Sequence, residues 1–99
     1  MEISKVSDIT ADDVAEYLRI SELAPEDLKT LDTLLTVSKN YVTQYTGRTL
    51  EQLDTLPDMV IVVLILCQDM WDNRTLYVDS SNVNKVVESI LGLHSVNLL

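Results

Sequence analysis

The chain has 99 residues, a formal net charge of −9 and 46% apolar residues. That length suggests a single domain, and that apolar share excludes wholesale disorder. The charge argues against a surface that grips nucleic acid by its phosphates, and one cysteine with one histidine cannot build a Cys/His metal site.

Met1–Lys5 lacks the basic start and apolar stretch of a secretory leader, so a cytoplasmic protein is expected. The first helix signal is Thr10, an N-cap residue, with Asp13 at the far corner of a capping box. Ile9 and Val14 stand at the two positions of a hydrophobic staple. This predicts a helix over about 11–19.

Ala24-Pro25-Glu26-Asp27 opens the second helix, with proline suited to the first turn and two acids suited to the positive end of the helix dipole. Leu28, Leu31, Leu35, Ser38, Val42 and Tyr45 recur at spacings of three and four, widened by Leu34 and Tyr41. Gly47 is the natural stop, which predicts a helix over 25–46. Thr49 and Gln52 then have capping-box spacing for one short turn that tucks Leu50, Leu53 and Leu56 under the core.

Met59–Cys67 is nine apolar residues without a break. Five are β-branched, so a doubly buried strand competes. The segment continues through Gln68 to Asp72 without Gly or Pro, and Pro57 suits a helix start, so helix length and flanks favour a helix over 57–73. The run is too short to span a membrane. Cys67, inside it, is expected to be a small buried hydrophobe.

Thr75–Ser81 reads as a loop. Asn82 is the expected cap of a last helix over 83–91, with Val83, Val86, Val87, Ile90 and Leu91 in one stripe and Gly92 at its end. The tail, 93–99, is apolar. The fold class expected is all-α, a compact bundle of four to five helices with an extended C-terminal tail.

No Gly-rich phosphate loop, HExxH or paired-cysteine motif is present in the sequence, and the acid pairs Asp12-Asp13 and Glu26-Asp27 are better explained as helix starts. His94 is expected to pack or lie on the surface rather than act as a base. Asn73-Arg74-Thr75 matches a glycosylation sequon, which carries no meaning without secretion. The expectation is a protein that is not an enzyme and that holds no cofactor or metal.

The apolar run raises the question of what covers it. If four of its side chains faced water, about 6–12 kcal/mol of burial would be forgone, taking roughly 1.5–3 kcal/mol for each. Either the amphipathic helices cover the run completely or a subunit interface does. Trp71, Asn73 and Arg74 close that helix, and aromatic and arginine side chains are the usual anchors of interfaces.

The order of these segments resembles a known family. A short helix I-T-A-D-D-V-A-E-Y-L-R-I is followed by a long one ending Y-V-T-Q-Y-T-G-R, by P-D-M-V-I-V-V-L-I-L-C-Q-D-M-W-D-N-R, and by a last one closing I-L-G-L-H-S-V-N-L-L. From about Ile9 to Leu99 the chain is similar to the small head–tail connector proteins of long-tailed bacteriophages and prophages, the DNA-packaging or head-completion adaptors. The resemblance implies a virion subunit at the head–tail junction. It joins a ring, twelve-membered by portal symmetry, that docks under the portal protein, extends the DNA channel and offers a platform to a tail or head-completion protein. DNA passes without specific binding, and no membrane is involved. The residues it marks for subunit or portal contact are Trp71, Asn73, Arg74, Leu76 and Tyr77, with Leu93, Val96, Leu98 and Leu99 in the tail. Asp12, Asp13 and Glu16 are its candidate channel-facing acids, where like charge weakens DNA adhesion. The alternative is a small acidic helical regulator that binds another protein or mimics DNA. A mimic should spread acids at phosphate-like spacing, whereas here they gather at the first two helix starts.

Overall fold

Local capping chemistry sets most of the helix boundaries. In the computed structural model, which describes residues 3–79 and 82–96, a 3-10 turn at Val6–Asp8 precedes five α-helices. Helix α1, Ala11–Leu18, begins with the expected capping box: the Thr10 amide donates to the Asp13 carboxylate at 2.8 Å, and the Asp13 amide donates to the Thr10 hydroxyl at 3.3 Å. It stops where Arg19 turns left-handed at φ 58°. Helix α2, Pro25–Thr46, carries proline in its first turn and ends at Gly47, φ 71°. Helix α3, Leu50–Leu53, is the short turn capped reciprocally by Thr49 and Gln52. Helix α4, Asp58–Asn73, contains the whole apolar run, and Pro57 before it already has helical dihedrals. Arg74 closes it in a left-handed conformation at φ 56°.

Helix α5 departs from expectation at both ends. It spans Lys85–His94, and its cap is Asn84, whose side chain accepts from the Val86 amide at 2.8 Å. Asn82 is instead tied into the loop, donating to the Asp79 carboxylate at 2.7 Å. Two capping residues stood two positions apart, and the loop contact took one of them. Gly92 does not end the helix, which runs on through Leu93 and His94, the first two residues of the expected tail. A glycine stops a helix when the chain turns left-handed there; here the stop comes at Ser95, which is extended.

The core answers the coverage question from within the chain. Seven residues of the run, Met59, Val60, Val62, Val63, Leu64, Leu66 and Cys67, are buried. Only Ile61, 39% exposed, and the half-buried Ile65 remain on the outer side. The most extensive packing is between α2 and α4, with α1 against α2 and α5 against both. Ser38 meets Cys67, while Thr30 and Leu34 share a notch with Met70 and Trp71, so α2 and α4 run antiparallel. The stripe of α2 drifts at its end: Thr46 is buried in place of Tyr45, which faces out, and the Thr46 hydroxyl is satisfied by the Val42 carbonyl at 2.7 Å. On α5, Val87 and Leu91 are buried, but Val86 is 60% exposed, so the expected stripe is narrower than read.

The N-terminal turn is tethered rather than loose. The Ser7 amide and hydroxyl donate to the two oxygens of Asp54, at 3.0 and 2.6 Å. Those bonds hold the Asp54 carboxyl below the usual carboxylate range. Val6 and Ile9, on either side of Ser7, are buried in the core.

Candidate assembly surface

The left-handed turn at Arg74 shapes the end of α4. It brings the Arg74 guanidinium over the indole of Trp71, 4.7 Å from the ring centroid. Trp71 is half-buried and packs against the core edge, so it is both core and rim. Beyond the turn Leu76 is 59% exposed and Tyr77 62% exposed. Trp71, Arg74 and Leu76 border a notch of about 130 Å³ whose other side is Thr30 and Leu34 of α2. Sequence reading marked the α4 side of this notch and missed the α2 side. Leu34 was legible as a stripe residue, but nothing in the sequence says that it lies opposite Trp71.

Asn73 does not join this surface. Its side-chain amide donates back to the Asp69 carbonyl of its own helix at 2.8 Å. On the other flank of the α4 end, Asp69, Asn73 and Tyr77 border a cleft of about 230 Å³ closed by Val78 and Val83. Partial burial, then the charge of Asp72, raise the Asp69 carboxyl above its ordinary range.

The remaining marked residues lie elsewhere. Leu93 is 77% exposed on α5, and Val96 follows it at the far end of the α2–α4 pair. Leu98 and Leu99 lie outside the described residues. Asp12 and Glu16 are exposed one turn apart on α1, whereas the Asp13 carboxylate is engaged in the capping box. The structure therefore separates the marked residues into an α4-end cluster, a tail-end cluster and an α1 acidic face.

The tail-end cluster is tied to the body by residues not marked for this role. Arg48 Nε donates to the His94 carbonyl at 2.6 Å, and the Val96 amide donates to the Thr46 carbonyl at 2.8 Å. His94 Nε2 lies 2.8 Å from the Asp58 carboxylate, which gives the histidine a packing role. Cys67 is fully buried, its thiol pushed up to about 11 by burial, against a 3.3 Å contact with the Ser38 hydroxyl. No group of three or more metal-ligating side chains occurs among the described residues, and no described helix is long and apolar enough to cross a membrane.

No family model, curated protein or solved structure matches this chain.

Proposed function

We propose that this chain is the structural subunit of a head–tail connector ring of a long-tailed phage or prophage, acting by assembly alone. The observation that carries the reading is the end of α4, where the half-buried Trp71 and the exposed Leu76 border a shallow notch and Tyr77 is exposed just beyond. Exposed apolar side chains beside a stacked aromatic–arginine pair are the chemistry of a protein–protein contact. The all-helical architecture and the order of its elements agree with what the resemblance implies.

In this reading the ring docks beneath the portal protein and carries the DNA channel onward to a tail or head-completion protein. The exposed acids Asp12 and Glu16 line or border that channel and keep DNA from adhering. Asp13 adds its charge to the same helix start while it caps α1. The test is to mix the protein with DNA-filled, portal-bearing heads lacking their own connector and to image the vertex. A ring added below the portal is the expected result, and bare portals would sink the reading.

A further inference from the structure

Residues 3–9 carry an apolar side chain at every third position, Ile3, Val6 and Ile9, with exposed Ser4, Lys5, Ser7 and Asp8 between them. Three residues per turn is the 3-10 period, so the turn at Val6–Asp8 sets Val6 and Ile9 on one edge. Val6 is fully buried, Ile9 is 3% exposed, and Ile3 packs partly buried against the same core. The turn lies on α3 and α4.

Few bonds hold the segment there, and each runs to a side chain of the body. Its own backbone bonds are internal: the Asp8 amide donates to the Lys5 carbonyl at 3.1 Å and the Ile9 amide to the Val6 carbonyl at 3.2 Å. Among the described residues no backbone–backbone bond joins it to a helix packed against it. What joins it is the Asp54 carboxylate, which takes both Ser7 bonds, and the Lys39 ammonium, which donates to the Ile9 carbonyl at 3.4 Å. Ser7 is exposed, so water competes for the Asp54 bonds.

Helix α1 does not depend on this segment. It caps itself through Thr10 and Asp13. Ile9 and Thr10 are both extended, so the chain can swing at that joint without unwinding a helix.

We propose that residues 3–9 are a strap that opens as one unit on a folded body, with the Ser7–Asp54 pair as its latch. An open strap bares the apolar surface of α3 and α4 that Val6 and Ile9 cover. It opens within a single chain and needs no ring.

The test is thiol labelling of the full chain carrying Val6→Cys, with native Cys67 as the reference buried between α2 and α4. Each rate under native conditions is divided by the rate of the same thiol in urea. The introduced thiol should react with iodoacetamide at least about tenfold faster than Cys67, because opening a small unit costs less than global unfolding. Its rate should rise only shallowly with urea, whereas that of Cys67 should rise steeply, since the slope follows the surface exposed. Asp54→Ala should speed the introduced thiol about tenfold by removing both latch bonds. Gly47→Ala weakens the body, so it should speed Cys67 and leave the introduced thiol unchanged. Equal rates and equal urea slopes for the two thiols overturn the proposal, because the strap then opens only with the whole fold. An introduced thiol indifferent to Asp54→Ala overturns the latch. If Val6→Cys does not fold, amide exchange of Asp8 and Ile9 in the unsubstituted chain decides instead: their exchange should be faster than that of the α2 and α4 core amides, and equal protection overturns the strap.

Discussion

His94 Nε2 stands 2.8 Å from Asp58 Oδ2, which joins the last turn of α5 to the first turn of α4. The carboxylate sits at a helix N-terminus and the imidazole at a helix C-terminus, the favourable end for each. Asp58→Ala should loosen this junction. Amide exchange over 91–94 should quicken while the α2–α4 core holds, at a cost of about 0–1 kcal/mol, because the pair is partly exposed. Unchanged exchange over 91–94 would show that Arg48 and the Val96–Thr46 bond suffice.

The two glycines should respond to alanine with opposite signs. Gly92 lies inside α5, and a Cβ there would meet nothing within 4 Å. Gly92→Ala should stabilise the protein by about 0.5–1 kcal/mol through a lower chain entropy cost. Gly47 sits at φ 71°, so Gly47→Ala should destabilise it by about 1–2 kcal/mol. Denaturant melts of the two variants check both signs.

Two carboxylates should shift stability with pH in opposite directions. The Asp54 carboxyl is depressed by its bonds to Ser7, so its contribution is present above the unfolded-state value, about 3.9, and is lost as pH falls through the folded value. Asp54→Asn should lower the melting temperature at pH 7, and the deficit should vanish in acid. Asp69 is raised, so it favours folding most below the unfolded-state value and loses that contribution as pH rises through the folded one. Asp69→Asn should therefore raise the melting temperature at pH 7, and the gain should fade on acidification.

Cys67 should be inert in the folded protein. With the thiol near 11, only about 0.1% is thiolate at pH 8, and access is blocked as well. Iodoacetamide should label it only after unfolding in urea. Ser38→Ala removes the bond that partly lowers this thiol and should push it higher still. Rapid labelling of the native chain would mean that the α2–α4 contact opens.

Much of the fold was legible because its signals are local. Thr10 with Asp13, Pro25 with Gly47, and Thr49 with Gln52 each act within a few residues, and each stands where the sequence places it. The last helix misled for the same reason. Asn82 and Asn84 are both good caps, and the choice fell to Asp79, which engages Asn82. Val86 read as core and is exposed, because only a partner surface decides which side of an apolar stripe is covered. The candidate site was half legible: Trp71, Arg74, Leu76 and Tyr77 cluster because they are near in sequence, while Thr30 and Leu34 enter only through the antiparallel pairing of α2 with α4.

The sequence by itself determined that five segments are helical and, for all but α5, where they begin and end, since capping bonds and side-chain periodicity act over one turn. It also determined that nine consecutive apolar residues demanded cover. Tertiary structure alone decided that α1, α2 and α5 pack with α4 and leave seven of those nine buried, with Ile61 and Ile65 toward water. It alone left Leu76 and Tyr77 exposed just beyond the end of α4. Burial is a sum over neighbours far apart in the chain, and no local signal records which neighbours those are.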